Sequence, residues 1–338
     1  MKTQEMEKLP MSVDEVKKLK PIKAKTKEKS ANGEKAIAKE PKMEIVDGYL
    51  FPKGTQAIGV PYLEKGAKSV LTETKPYCPE HADIDYSPKG LAKKDQKPKF
   101  IDRDTFMAVQ GNKTIFGPDQ RIVYYSTAYP WRCIGKVETA LGAGSGVMIG
   151  PRHLLTCCHI IDFLANNSTG WIKFTPMYYN GGIPPYGSAL GIKTYYKYKV
   201  KGPTLDATES QYDYAVIVLD KKIGDSTGWM GAKAYSDSWD GAASWTHAGY
   251  PGDLTGSQRP IYQTGISLDG DAALPDTHES MAHQGDVWPG QSGGPYWGYW
   301  SNTPYVVAVQ SGQTAVSNSA SGGSDLLDLV NKARAEFP

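Results

Sequence analysis

The sequence predicts an all-β body that ends in a helix and follows a largely disordered N-terminal segment. Three observations lead there. Beyond residue 114, short apolar runs rich in Val, Ile, Tyr and Thr are separated by Gly, Pro, Asn and Asp clusters, the punctuation of strands and turns. Residues 1–42 carry twelve lysines against seven acids and few large apolar side chains. After Gly322-Gly323 the period changes, so that Leu326, Leu329, Val330, Ala333 and Phe337 share one helical face. That tail has acids early and basic residues late, as the helix dipole favours.

The lysine-rich stretch cannot bury enough apolar surface to offset the entropy of ordering, which is the physical basis of the disorder expected there. Lysine-rich arms bind nucleic acids or anionic membranes in some proteins. Here no arginine or aromatic residue is interleaved among residues 1–42, and glutamates dilute the field, so a nucleic-acid partner is not expected. Residues 43–113 are more mixed and have the composition to hold some structure. No run approaches the roughly 18 apolar residues of a membrane-spanning helix, and no apolar core of a secretory signal follows Met1–Lys8.

Chemistry concentrates in Gly290-Gln291-Ser292-Gly293-Gly294-Pro295. Glycines on both sides of a serine remove Cβ atoms that would block a substrate, and they allow backbone angles at which amide N–H groups converge beside the serine oxygen. A serine nucleophile also needs a histidine base and a carboxylate to orient it. Of the six histidines, His159 closes the run His153-Leu154-Leu155-Thr156-Cys157-Cys158-His159, which reads as a buried strand delivering an imidazole to a cleft. Asp213 stands at the mouth of the apolar strand Ala215-Val216-Ile217-Val218-Leu219, where an unpaired carboxylate would be costly and a histidine N–H is a natural partner. The chain order is His, Asp, Ser. It excludes the α/β-hydrolases, in which the histidine follows the serine.

With these residues in view, the chain resembles the chymotrypsin-like serine proteases, and among them the glutamyl-endopeptidase branch. Further segments carry the likeness: Ile115-Phe116-Gly117-Pro118-Asp119-Gln120-Arg121, Thr127-Ala128-Tyr129-Pro130-Trp131-Arg132, Gly144-Ser145-Gly146-Val147-Met148-Ile149-Gly150-Pro151 and Gly249-Tyr250-Pro251-Gly252-Asp253. The resemblance spans about residues 114–338. It implies two antiparallel six-stranded β-barrels, the first over 114–225 with His159 and Asp213, the second over 226–338 with Ser292 and the terminal helix. Residues 1–113 would be a propeptide removed at Lys113-Thr114, splitting the nominal charge into about +6 before the cut and −4 after it.

The same resemblance implies a serine endopeptidase acting through an acyl-enzyme, with no cofactor and no metal; the alternative is a non-catalytic binding protein on the same fold, which would usually have lost a member of the triad. Its partners would be protein or peptide substrates, and the enzyme would be monomeric. The Gly290 and Ser292 amides would form the oxyanion hole, and Asp286, Val287, Gln310, Ser311 and Gly312 would line the substrate pocket. Two of these depart from the branch. Gln310 stands where a histidine helps read a substrate carboxylate, and Val287 where a threonine does. An acidic P1 residue is favoured, with a basic or broad preference as the alternative, because Asp286 occupies the place of the acid that selects Lys or Arg in trypsins. His283 could approach the pocket from the preceding loop, but an exposed loop histidine is the favoured reading. Gln291 replaces the aspartate with which trypsins hold their freed N-terminal amine, so activation by that route is not expected.

The cysteines leave two readings open. Cys133 could pair with Cys157 or Cys158, or all of these could be free and buried, with Cys78 apart from them. The family's cysteine after the catalytic histidine is Ile160 here. The family is secreted, and with no visible signal the location stays open between export and the cell interior. No Cys-x-x-Cys or His-Glu-x-x-His spacing points to zinc.

Overall fold

The computed structural model describes residues 8–26, 43–46, 49–64, 69, 72–92, 115–202, 204–270, 279–313 and 317–338. Its early strands are β1 (Met43–Val46), β2 (Tyr49–Pro52), β3 (Gln56–Gly59), β4 (Glu73–Thr74) and β5 (Ile122–Val123). Then come β6 (Ile134–Thr139), β7 (Gly142–Gly150), β8 (His153–Thr156), β9 (Phe163–Leu164), β10 (Ser168–Thr169), β11 (Ile172–Pro176), β12 (Ala189–Tyr196) and β13 (Ala215–Leu219). The second half holds β14 (Gly231–Lys233), β15 (Trp245–Gly249), β16 (Ile261–Ile266), β17 (Glu279–His283), β18 (Pro295–Trp300), β19 (Thr303–Gln313) and β20 (Asn318–Gly322).

Six of these strands close into a barrel in the order β11-β6-β7-β8-β13-β12, and β12 pairs back to β11 through Lys173↔Leu190 and Phe174↔Ala189. Closure removes free edges. The central strand β13 is apolar throughout and fully buried, because it is packed on both faces: the barrel interior on one side, the terminal helix Ser324–Glu336 on the other. That helix buries Leu326, Leu329, Val330 and Ala333 and rests Phe337 on the same core, as its period predicts.

The second sheet runs β17-β20-β19-β18-β15-β16-β5. An isolated bridge joins β17 to the residues that follow β16, where Asp269 and Ala282 exchange both backbone hydrogen bonds. Its core is aromatic, with Trp239, Trp245 and Tyr296 buried together. The fold is therefore all-β, a closed six-stranded barrel beside a second sheet, with few helices.

All four cysteines are free, and three of them, Cys133, Cys157 and Cys158, are buried. The free-thiol alternative is the one the structure adopts. Of the N-terminal segment, for which disorder is expected, residues 8–26, 43–46, 49–64, 69 and 72–92 are described. Many of them pair with or pack against the barrel and the second sheet. The rest of that segment, including the Lys113-Thr114 junction, lies outside the described residues.

Candidate active site

The first barrel presents the histidine. Strand β8 is buried along its length, and the chain leaves it at Thr156, whose hydroxyl donates to the Ser145 carbonyl at 2.8 Å. His159 follows three residues later, with 17% of its side chain exposed. Asp213 enters β13 from the short helix Ala207–Gln211 and is fully buried.

The two side chains meet. His159 Nδ1 donates to Asp213 Oδ2 at 2.6 Å, and Ser311 Oγ donates to the same oxygen at 2.7 Å. Asp213 Oδ1 accepts the backbone N–H groups of Cys158 and His159, each at 2.9 Å. Four donors thus surround one carboxylate. Burial alone would raise its pKa, but the facing imidazole, the Ser311 hydroxyl and the His159 amide outweigh that and hold it below the usual carboxylate value. Burial alone would lower the imidazole. The Asp213 charge opposes this, and His159 stands well above the ordinary histidine value.

With Nδ1 committed to Asp213, the neutral ring has a bare Nε2, the atom that can accept a proton. Cys157 Sγ lies 3.8 Å from it. Burial pushes that thiol up, so near neutral pH it faces the ring as an S–H group. Cys157, His159 and Asp213 hold one potential ligand atom each within 4.8 Å. The donor set does not suit a cation, because both Asp213 oxygens already accept two hydrogen bonds and one of those donors is the His159 ring itself.

The second sheet presents the serine. Ser292 lies on the turn between β17 and β18, with Gly290 at φ 99° and Gly293 at φ 78°, backbone that favours glycine. A Cβ at Gly293 would lie 2.7 Å from the Cys157 amide nitrogen and 2.2 Å from Thr156 Oγ1. This close approach seats the serine turn against the residues leading to His159. Ser145 fastens it there: its N–H donates to the Ser292 carbonyl at 2.7 Å, and its hydroxyl donates to the Gly290 carbonyl at 2.7 Å. The same hydroxyl accepts the Tyr250 N–H at 2.9 Å. The Gly290 and Ser292 N–H groups donate to no protein acceptor among the described residues.

Gln291 braces the turn from inside. Its Oε1 accepts Arg121 Nη1 at 2.9 Å and the Trp288 N–H at 3.1 Å, and its Nε2 donates to the Asp286 carbonyl at 3.3 Å. Arg121 is itself buried between Asp119 and Asp253, at 2.7 Å and 2.6 Å. A guanidinium therefore occupies the partner role beside Gln291.

The expected pocket residues divide. Asp286, 1% exposed, accepts the Phe116 N–H at 2.9 Å and the Gln120 N–H at 2.8 Å, so its charge is spent on the segment 116–120. Val287 is buried. Ser311 turns its hydroxyl to Asp213. Gln310 donates to the Gly312 carbonyl at 2.9 Å and accepts Tyr296 Oη at 2.6 Å. His283 is not an exposed loop histidine: it sits on β17, 4% exposed. The Gly285 N–H donates to its Nδ1, which leaves the proton on Nε2, 2.9 Å from Tyr296 Oη and 3.2 Å from Gln310 Oε1. Burial pushes this histidine down to about 3, so it is neutral and donates.

Sequence reasoning met Ser145 and Arg121 only as members of family-like segments and gave no role to them or to Tyr296. Ser145 carried a signal, a serine between two glycines of a strand. The other two did not, since their partners lie 170 and 14 residues away.

Known proteins resemble the chain in sequence and in fold. The chain is 31% identical over 185 residues to a glutamyl endopeptidase of Bacillus licheniformis, covering 54% of each chain. In sequence and in fold it resembles a glutamyl endopeptidase. A solved Glu endopeptidase structure with bound MPD superposes with a TM-score of 0.53 at 21% identity, covering 65% of this chain and 99% of that one. A Bacillus subtilis protein named extracellular metalloprotease is 27% identical over 223 residues, 62% of this chain and 63% of its own. The chain spans only 54% and 63% of these two relatives' lengths. No family model matches.

Proposed function

We propose that the protein is a serine endopeptidase that cleaves peptide bonds through Ser292, His159 and Asp213. The observation that carries the reading is the 2.6 Å His159–Asp213 hydrogen bond beside a serine turn seated on Thr156 and Cys157. Ser292 Oγ attacks the scissile carbonyl while His159 Nε2 takes its proton. Asp213 keeps the proton-bearing nitrogen of the ring at Nδ1 and stabilises the imidazolium. His159 then protonates the leaving amine, and water reverses the sequence on the acyl-enzyme. The unclaimed N–H groups of Gly290 and Ser292 would hold the oxyanion, a contribution worth on the order of 10²–10³ in turnover per donor.

An acidic P1 residue is the favoured substrate feature. Asp286 has its carboxylate occupied by two backbone amides, which argues against recognition of Lys or Arg. Gln310 instead receives hydrogen bonds on its oxygen from Tyr296 and His283, which polarises its amide N–H groups as donors. One of these has no acceptor among the described residues. Protein and peptide substrates, a monomeric state, processing at Lys113-Thr114 and action outside the cell complete the proposal. The last is supported by the name of the Bacillus subtilis relative. No helix among the described residues is long and apolar enough to cross a membrane.

Cleavage profiling on a mixed peptide library tests the reading, with Ser292→Ala as control. Cleavage after Glu or Asp that disappears in the variant is expected. Cleavage that persists in Ser292→Ala would sink the mechanism, and cleavage after Lys or Arg would sink the pocket assignment.

A further inference from the structure

Residues ahead of the proposed processing site are woven into both sheets. Strand β3 has a partner on each side: β12 in parallel, through Lys193↔Gln56 to Tyr196↔Gly59, and β10 through Ser168↔Gln56. It is an interior strand rather than an edge. Just before it, Thr55 is 2% exposed, and its hydroxyl lies 2.8 Å from Thr169 Oγ1 and 2.6 Å from Thr194 Oγ1. Just after it, the Val60 N–H donates to the Tyr196 carbonyl at 2.8 Å.

The same segment satisfies buried polar groups of the catalytic body. Lys197 and Asp325 form an ion pair at 2.8 Å with both side chains fully buried. Lys197 Nζ also donates to the Pro61 carbonyl at 2.7 Å, and Asp325 Oδ1 accepts the Leu63 N–H at 2.9 Å. Further on, the buried Trp131 indole donates to the Asp85 carbonyl at 2.7 Å, and Tyr262 Oη donates to the Pro88 carbonyl at 2.9 Å. Strand β4 pairs with β14 of the second sheet, and Thr74 Oγ1 accepts the Ala232 N–H. Ala57, Val60, Ala82 and Tyr86 belong to the main hydrophobic core.

We infer that residues 54–64 and 72–91 are a permanent structural part of the folded protein, held by both sheets whether or not the chain is cut after them. A removable inhibitor would leave its host complete. Here departure would strip β3 from between two strands and leave Lys197, Asp325, Trp131 and Tyr262 each short of a buried partner, a costly state for polar groups. Cleavage at Lys113-Thr114, which rests on the processing reading, would therefore give a two-chain molecule.

An engineered cut tests this without relying on natural processing. A recognition sequence for a site-specific protease is placed within residues 93–113 of the full chain, and the cut protein is run on gel filtration with and without denaturant. Both fragments should co-elute natively and separate only in denaturant. Independent elution of the N-terminal fragment, with residues 114–338 still folded, would overturn the inference. Hydrogen exchange on the uncut chain gives a second readout. The Ala57 and Val60 amides should exchange as slowly as those of β13, whereas exchange at the rate of an open tail would also overturn it. Absence of a natural cut at Lys113 would count against the processing reading alone.

Discussion

Arg121 Nη1 donates to Gln291 Oε1 at 2.9 Å, joining residues 170 positions apart. Through this contact the segment that follows the proposed mature start holds the residue immediately before Ser292. Trypsins build that brace from a freed amine and an aspartate; a permanently charged side chain and a neutral amide serve here, so the brace requires no new N-terminus.

Breaking that brace should be costly in both stability and turnover. Arg121→Met would leave Asp119 and Asp253, both partly exposed, without their cation, and would lower stability by less than the loss of a partner from a fully buried pair. Gln291→Glu, which keeps an acceptor for Arg121, should retain activity, while Gln291→Leu should lower kcat/KM at least tenfold. Equal kcat/KM in the Leu variant and the native protein would show that the turn is held by other means.

Activity should rise with pH through the titration of His159. The base works as the neutral imidazole, and its pKa lies well above the ordinary 6.5 because Asp213 favours the charged ring. The acid limb of kcat/KM should therefore have its midpoint above 6.5. Asp213→Asn should reduce kcat by about 10⁴, the loss known for this substitution in a serine-protease triad. A midpoint at or below 6.5 in the native enzyme would contradict the assigned pair.

Three other histidines should make the fold acid-sensitive. Burial pushes His153 down to about 4 and His247 and His283 to about 3. In the unfolded chain these rings take up protons near 6.5, before the folded ones do. Their contribution to stability is complete above pH 6.5 and is lost as pH falls toward 3–4, by about 1.4 kcal/mol per pH unit for each ring. Urea unfolding at stepped pH measures that slope, and His153→Gln should make it shallower. An unchanged slope would mean that His153 is not part of it.

Ser145→Ala removes the hydroxyl shared by the Gly290 carbonyl and the Tyr250 N–H. Leaving these groups unsatisfied should cost about 1–3 kcal/mol and loosen the serine turn. The expected signature is a fall in kcat with KM nearly unchanged. A rise in KM alone would place Ser145 in substrate binding instead.

The pocket residues should separate on substitution. Gln310→Leu should reduce cleavage after Glu tenfold or more relative to cleavage after an apolar residue. Asp286→Asn should lower the melting temperature through its weakened hold on Phe116 and Gln120 but leave the P1 profile alone. A P1 profile altered by Asp286→Asn would return that carboxylate to the pocket.

The chain's own letters determined the features that depend on neighbours in sequence. The glycine turn around Ser292 follows from the positive φ needed at Gly290 and Gly293. The terminal helix follows from its spacing of Leu326, Leu329, Val330 and Ala333, and the delivery of His159 and Asp213 by apolar strands from β8 and β13. The tertiary structure alone decided what each polar group spends its hydrogen bonds on. The two oxygens of Asp286 accept the amides of Phe116 and Gln120, which folding brings from 170 and 166 residues away, and the Ser311 hydroxyl meets Asp213 from 98 residues away. His283 reads as a loop histidine in sequence, and only the placement of β17 against Tyr296 and Gln310 buries it. Residues 43–113 read only as mixed in composition, and the fold alone provides the β12 and β10 partners that make β3 an interior strand. Local propensity is written in adjacent residues, whereas the satisfaction of a buried donor or acceptor depends on groups that only folding brings within 3 Å.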